Sequence, residues 1–210
     1  MDLFNPSPYP LVAILRGLTP AEAPKVGQIL FETGFRMLEV PLNRPGAIDA
    51  IHCLLRNAPD DALVGAGTVL SVQDVDAVKE AGGRLIVSPH CAPDVISHAA
   101  KHGMIALPGV ATPTEAFQAL AAGAHGLKLF PAEMIPPAAV KAIRSIMPVD
   151  TPLFPVGGIQ PHNMAAYVAA GATGFGIGGS LYQPRIDETA MRRAAEAFMN
   201  ARRNLLEEAA

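Results

Sequence analysis

Short apolar segments that resemble buried strands alternate with helix-like segments along the whole chain of 210 residues. Apolar runs bounded by turn residues are typical of strands, and longer amphipathic runs are typical of helices. Eight strand candidates result, and each precedes a helical stretch: 11–16, 37–42, 62–69, 85–89, 104–110, 126–131, 153–159 and 174–182. A strand and a helix repeated in this way predict parallel strands joined by crossover helices.

The signals for helix ends agree with this division. Thr19-Pro20-Ala21-Glu22 and Thr112-Pro113-Thr114-Glu115 each place a capping threonine before a proline, with a glutamate three positions after the threonine. A glycine in the left-handed conformation often ends a helix, and four glycines follow helical runs: Gly34, Gly103, Gly123 and Gly171. The segment from about 188 to 208 is amphipathic and predicts a carboxyl-terminal outer helix with a solvated basic face.

Eight strand–helix units with short connections favour a closed (β/α)8 barrel, or TIM barrel, over an open doubly wound sheet. Half of the residues are hydrophobic and 17% are charged, which suffices for one sizeable core. We therefore expect an α/β protein whose residues 1–210 form a single domain.

The charge excludes some classes of partner. A net charge of −3 and a pI near 6.0 offer no basic surface for nucleic acid or for an anionic membrane. Residues 1–8 lack the basic start of a signal peptide, and no apolar run is long enough to cross a bilayer. Two cysteines, Cys53 and Cys91, are too few for a disulfide framework. We expect a cytoplasmic protein that binds neither nucleic acid nor a membrane.

Lys128 lies inside the sixth strand candidate, and no residue near it in sequence neutralises its charge. An ammonium group that leaves water without a partner tends to lose its proton. The neutral amine is a nucleophile that can form a Schiff base with a carbonyl substrate. Lys128 is therefore a candidate catalytic residue.

Three formally charged residues lie on the strand candidates: Arg16, Glu39 and Lys128. Large apolar residues flank Glu39 and Lys128 at alternate positions, so both side chains are predicted to face the barrel interior. Chemistry in such barrels gathers at the carboxyl ends of the strands, and buried charges are costly unless they are used or paired. The alternative to an active site is a structural ion pair between Lys128 and Glu39.

Two glycine clusters follow the pattern of a phosphate site. One is Pro155-Val156-Gly157-Gly158 at the end of the seventh strand, and the other is Gly176-Ile177-Gly178-Gly179-Ser180 on the eighth. Barrels often bind phosphate through backbone N–H groups of the loops after these strands. The alternative is that the glycines only permit tight corners. A dinucleotide fingerprint is incomplete, because Leu181 stands where its last glycine would be.

Weaker signals remain. Thr68 follows Gly65-Ala66-Gly67 at the end of the third strand and could donate to a bound carboxylate or carbonyl. His98 and His102 have the i, i+4 spacing of metal ligands, but the sequence places no third ligand, so we expect no metal there. His90 and Cys91, just past the fourth strand, are predicted to line the rim of the site.

Seven ordered motifs resemble those of the class I 2-keto-3-deoxy-6-phosphogluconate and 6-phosphogalactonate aldolases, and they cover nearly the whole chain. They are the segments 13–17, 38–43, 65–69, 88–89, 108–116, 127–131 and 155–158. The resemblance implies that Lys128 is the Schiff-base lysine and that Glu39 is the general acid and base. It implies that Arg16 and Thr68 contact the pyruvate portion of the substrate and that Pro89 also contacts the substrate. It further implies phosphate contacts from Gly157, Gly158, Gly178, Gly179 and Ser180. It also implies a homotrimer.

The expected reaction cleaves a phosphorylated 2-keto-3-deoxy sugar acid to pyruvate and D-glyceraldehyde 3-phosphate, with no metal or organic cofactor. Gluconate-type members carry a threonine and then an arginine after the glutamate, whereas Pro41-Leu42-Asn43 follows here, as in the galactonate-type branch. The sequence therefore favours 6-phosphogalactonate. Arg44 keeps the gluconate reading open, and His90 stands where a small or amide residue is expected. Remoter alternatives are a sugar-phosphate isomerase or epimerase and a noncatalytic phosphometabolite-binding protein.

Overall fold

The computed structural model of the chain describes residues 9–208, so residues 1–8, on which the targeting prediction rests, lie outside the described part. The described residues contain nine strands, namely β1 (Leu11–Ile14), β2 (Met37–Pro41), β3 (Leu63–Gly67), β4 (Leu85–Val87), β5 (Ile105–Leu107), β6 (Gly109–Val110), β7 (Leu127–Leu129), β8 (Leu153–Pro155) and β9 (Phe175–Ile177).

Eight α-helices occur in the same residues, namely α1 (Ala23–Thr33), α2 (Ala47–Leu55), α3 (Val72–Glu80), α4 (Pro93–Lys101), α5 (Pro113–Ala121), α6 (Pro137–Arg144), α7 (Met164–Ala169) and α8 (Glu188–Glu208). A short 3₁₀ helix, Ala132–Met134, follows β7. Strands and helices alternate as the sequence predicts, and α8 has the predicted bounds. Between 9 and 208, no helix combines the length and apolar character needed to cross a membrane.

The strands form two parallel sheets. Six strands pair in the order β5-β4-β3-β2-β1-β9, and three pair in the order β6-β7-β8. The predicted strand 104–110 is divided at Pro108, which has no N–H to donate to a neighbouring strand. An isolated bridge between Val156, which directly follows β8, and Gly176 in the middle of β9 links the two sheets. The α/β class with parallel strands is therefore confirmed, with the strands distributed over two sheets.

Several element ends differ from the prediction. Strand β9 stops at Ile177, because the carbonyl of Gly178 accepts from the N–H groups of Leu181 and Tyr182 and turns the chain. Helix α1 begins at Ala23, one turn after the Thr19 cap that the sequence suggests. The capping box of Thr112 and Glu115 is confirmed at the start of α5.

Alternate residues of the strands pack in two separate apolar clusters. The outer cluster joins strands to helices and includes Leu38, Val40, Leu127 and Leu129. The inner cluster lies between the two sheets: Val12, Met37, Leu85, Val87, Ile105, Leu107 and Phe154. Because neighbours on a strand face opposite ways, Glu39 and Lys128 point to the same inner side as this second cluster. The predicted orientation of both residues is confirmed.

Candidate active site

Glu39 is held on the inner face of β2, next to Ile14 of β1 and Gly65 of β3 in the strand register. Its side chain is only 1% exposed, and Oε2 has no hydrogen-bond partner among the described residues. A buried carboxylate without partners is costly, so the protonated form is favoured. Burial raises the pKa of Glu39 to about 7, although the charges of Lys128 and Arg16 lower it.

Gly67 makes room for this carboxylate. A Cβ added at Gly67 would lie 1.8 Å from Oε2 of Glu39 and 2.3 Å from its Cδ. The carboxylate therefore lies directly against the Gly67 backbone at the carboxyl end of β3. This contact limits the positions that the carboxylate of Glu39 can occupy.

Lys128 occupies the inner face of β7, next to Gly109 of β6 and Phe154 of β8. It is 7% exposed, and its Nζ lies 4.7 Å from the centroid of the Phe130 ring. Burial lowers the pKa of Lys128, the carboxylate of Glu39 raises it, and Arg16 lowers it further. Such an amine is suited to nucleophilic attack on a carbonyl.

The ion pair that the sequence left as an alternative is absent from the described structure. The ion pairs found among residues 9–208, at N–O distances up to 4.0 Å, do not include Lys128 or Glu39. Both groups are thus buried, unpaired by direct contact and shifted toward their neutral forms. Two titratable groups in one site whose pKa values shift in opposite directions are typical of active sites.

Folding stability is expected to fall as the pH rises from about 4.5 to about 7, because the folded state holds a proton on Glu39 that the unfolded state releases. The folded pKa exceeds the unfolded value, so this contribution is complete at low pH and is lost through pH 7. At pH 8 the free energy of unfolding of Glu39→Gln should exceed that of the wild type by about 1–3 kcal/mol. Urea unfolding at pH 5 and pH 8 measures the difference, with exposed Glu80→Gln as control. Parallel pH profiles of wild type and Glu39→Gln would contradict the prediction.

Arg16 and Thr68 lie beside this pair. Arg16 follows β1, is exposed, and acts electrostatically on both Glu39 and Lys128. Thr68 follows Gly67 and adopts φ 53°, a left-handed conformation that is strained for a β-branched residue. Such strain costs about 1–3 kcal/mol and clusters at functional sites.

Pro89 approaches the same interior from β4. Its carbonyl oxygen would lie 2.4 Å from a Cβ at Gly109, and Gly109 is the register partner of Lys128. Only a glycine at 109 permits that approach. Pro89 is half-buried and lies next to β6, the strand that pairs with the lysine strand β7.

A cavity of about 550 Å³ opens at the carboxyl ends of β1, β7, β8 and β9. Arg16 and Phe130 line it together with all five predicted phosphate contacts: Gly157, Gly158, Gly178, Gly179 and Ser180. The N–H groups of Gly158, Gly179 and Ser180 donate no hydrogen bond to any described residue. A Cβ at Gly178 or Gly179 would meet nothing within 4 Å. Unused N–H groups around open space suit an anion such as phosphate.

Two further residues of this cavity escaped the sequence analysis. A Cβ at Gly157 would lie 2.1 Å from Oε2 of Glu133, so this carboxylate covers the first glycine of the predicted phosphate loop. The hydroxyl of Tyr182 is buried with no hydrogen-bond partner among residues 9–208, and burial, followed by the charge of Glu22, raises the pKa of Tyr182 to about 12. The sequence offered one signal for Glu133, namely an acidic residue five positions after Lys128.

The remaining predicted residues do not line this cavity. Arg44 lines a separate small cavity with Asp49 and Asp74. His90 is exposed and Cys91 half-buried, and burial together with Glu115 raises the pKa of the Cys91 thiol, which disfavours the reactive thiolate. His98 and His102 belong to the α4 region on the outer layer.

Known proteins and solved structures are similar to this chain over most of its length. The family model for KDPG and KHG aldolases matches residues 8–194. A probable 2-dehydro-3-deoxy-6-phosphogalactonate aldolase of Rhizobium meliloti (strain 1021) is 47% identical over 93% of this chain and 92% of its own length. The 2-dehydro-3-deoxy-6-phosphogalactonate aldolase of Escherichia coli (strain K12) is 42% identical over 94% and 97%. A solved structure described as native KDPGal superposes with a TM-score of 0.93 at 40% identity, covering 97% of this chain and 98% of that one.

Proposed function

The chain belongs to the KDPG and KHG aldolase family and is a carbon–carbon lyase, and we propose that it cleaves 2-dehydro-3-deoxy-6-phosphogalactonate to pyruvate and D-glyceraldehyde 3-phosphate. The observation that carries the proposal is the buried amine of Lys128, which no ion pair among the described residues holds in its charged form. The relatives named as phosphogalactonate aldolases and the segment Pro41-Leu42-Asn43 support the galactonate substrate.

In the proposed mechanism the neutral Lys128 amine attacks the C2 carbonyl of the substrate. The carbinolamine loses water and becomes a protonated imine, which accepts the electron pair released when the C3–C4 bond breaks. Phe130 supports this step, because the face of its ring stabilises the cationic nitrogen at a distance of 4.7 Å.

Glu39 is proposed to move the protons. As a carboxylate it takes the proton of the C4 hydroxyl, directly or through a water, while the aldehyde departs. As a carboxylic acid it returns a proton to C3 of the enamine. A pKa of about 7 suits both roles near neutral pH, since each form is then well populated.

The substrate is proposed to lie with its carboxylate toward Arg16 and Thr68 and its phosphate toward the glycine loops. A guanidinium can bind a carboxylate through paired hydrogen bonds. Pro89 is proposed to close the site beside Gly109, the register partner of Lys128. The open space above Gly178 and Gly179 and the unused N–H of Ser180 support the phosphate position.

Gly179→Asp is expected to raise the KM for the phosphorylated substrate by about 100-fold, because a carboxylate would occupy the open space and repel the phosphate. Borohydride trapping of pyruvate on Lys128 should stay unchanged, since pyruvate carries no phosphate. Steady-state kinetics and trapping are both measured, with Gly179→Asn as the uncharged control. Equal KM values for the wild type and Gly179→Asp would remove Gly179 from the phosphate site.

Gly67→Ala is expected to lower turnover by about 100-fold or more, because the added methyl group takes the space of the Glu39 carboxylate. Gly27→Ala is the matched control: the nearest atoms to its Cβ would be side-chain atoms, the end of Leu54 at 2.9 Å and the Phe31 ring at 3.5 Å. Trapping of pyruvate should persist in both variants. Wild-type turnover in folded Gly67→Ala would show that the position of Glu39 is not critical.

We further propose that the two sheets belong to one closed (β/α)8 barrel and that residues 1–210 form a single domain. Support comes from the interruption at Pro108, which separates β5 from β6 by one residue, and from the bridge between Val156 and Gly176. The inner cluster, which draws on strands of both sheets, is what a filled barrel requires.

A homotrimer remains a proposal from the family resemblance, and sedimentation equilibrium would test it. The cytoplasmic location and the lack of a cofactor requirement stay predictions of the sequence. Aldolase activity that survives exhaustive dialysis against a chelator would support the prediction that no cofactor is required.

The substrate proposal is tested by offering the enzyme both C4 epimers and following pyruvate release. We expect kcat/KM for the phosphogalactonate substrate to exceed that for the phosphogluconate substrate by at least about 10-fold. The reverse ratio would assign the chain to gluconate cleavage. Cleavage of neither, with the ligand recovered intact, would favour a noncatalytic binding protein.

A further inference from the structure

Helices α3 and α4 bring together three side chains that commonly bind transition metals. Nε2 of His98 lies 2.7 Å from Oδ1 of Asp76, and the rings of His98 and His102 meet edge to face with centroids 4.6 Å apart. One potential ligand atom from each of the three residues lies within 4.8 Å of the others. The sequence shows only the two histidines, and the tertiary structure supplies the third group from α3.

We propose that Asp76, His98 and His102 form a Zn²⁺ site on the outer helical layer. Zinc binds imidazole nitrogens and carboxylate oxygens at about 2.0–2.2 Å in tetrahedral geometry, which places ligand atoms about 3.3 Å apart. Asp76 Oδ1 and His98 Nε2 are 2.7 Å apart, and all three ligand atoms lie within 4.8 Å of one another, so they are close enough for one ion to bind all three. Three protein ligands leave the fourth position to water.

The exposure of the three ligands suits a cation. Asp76 and His98 are half-buried and His102 is exposed, which leaves an open path for the ion. The three residues lie in the outer layer of α3 and α4, whereas Glu39 and Lys128 face the inner side of the strands, so the zinc site is separate from the aldolase site.

Lys79 opposes the metal. Its Nζ lies 2.9 Å from Nδ1 of His102, where it donates a hydrogen bond and adds positive charge next to the site. A bound zinc ion repels this ammonium, which is on a long and exposed side chain that can turn away. Lys79 therefore weakens binding without blocking it.

Bound zinc would join α3 to α4 and stabilise the folded chain, because the unfolded chain does not hold the three ligands together. At a free zinc concentration 100 times the Kd, the unfolding midpoint should rise by about 5–10 °C. Aldol cleavage need not change.

The test is calorimetric titration of the untagged protein with ZnCl2, together with thermal unfolding. We expect one saturable site in the wild type, a loss of affinity of at least about 10-fold in His98→Ala and in His102→Ala, and a gain of about 10-fold in Lys79→Gln. Exposed His52→Ala on α2 is the matched control and should bind as the wild type does. Circular dichroism confirms that each variant is folded.

Two results would overturn the zinc site. One is the absence of saturable binding by the wild type up to millimolar free zinc. The other is unchanged affinity in folded His98→Ala, which would place the ion elsewhere. Asp76→Asn provides an independent check, because it keeps the shape of the side chain and removes its charge.

Discussion

Lys128→Met is expected to abolish aldol cleavage, with a loss of turnover of about 10⁴-fold or more, because no other group can form the covalent intermediate. Methionine keeps most of the volume and the apolar contacts of the lysine stem. Since it also removes a buried amine that is costly to ionise, the variant should fold at least as stably as the wild type. The lost activity would then not reflect unfolding.

The measurement is incubation with pyruvate and sodium borohydride, followed by peptide mass spectrometry. We expect the wild type to carry one adduct, on Lys128, and Lys128→Met to carry none. Lys141→Met, an exposed position on α6, is the control and should be trapped as the wild type is. A folded wild type without an adduct on Lys128 would eliminate the imine mechanism and favour an isomerase or epimerase. Full cleavage activity in Lys128→Met would also eliminate an imine on Lys128, while leaving the chain an aldolase.

Glu39→Gln is expected to retain imine formation and to lose about 10²–10⁴-fold in turnover, the range for removal of a general acid or base. The amide has nearly the same size and can lie against Gly67 in the same place. It cannot take the C4 hydroxyl proton or return one to C3. Attack by Lys128 depends on its own pKa, which burial dominates, so trapping should persist.

Exchange of the pyruvate methyl protons in D2O separates the two steps. Proton NMR should show rapid exchange with the wild type and an exchange rate lowered in proportion to turnover with Glu39→Gln. The control is Glu80→Gln at the exposed end of α3. If Glu39→Gln exchanges the methyl protons as fast as the wild type does, another group must transfer the proton.

Part of the site could be predicted because its signals are local. An isolated lysine between Leu127 and Leu129 has the period-2 pattern of a strand, and that pattern alone sends the side chain inward. The same holds for Glu39 between Leu38 and Val40. The capping box of Thr112 and Glu115 and the left-handed Gly34 are also local, since they depend on residues within one or two turns.

Other parts could not be predicted because they depend on distant residues. The contact of Gly67 with Glu39 joins two strands, and the carboxylate of Glu133 meets Gly157 across the cavity mouth. Asp76 reaches His98 from the preceding helix, so the sequence offered only two of the three ligands. The assignment of the two halves of the predicted strand 104–110 to different sheets depends on which neighbours each half pairs with.

The sequence by itself determined the order of strands and helices, the inward direction of Lys128 and Glu39, and the family. These follow from side-chain periodicity, turn residues and motifs, all of which are properties of short segments. The tertiary structure decided that the amine and the carboxyl are buried without an ion pair among the described residues, that Glu39 lies against Gly67, and which N–H groups of the glycine loops donate no hydrogen bond to a described residue. The physical reason is desolvation: the pKa of a buried group depends on everything that excludes water from it, and those neighbours are remote in sequence.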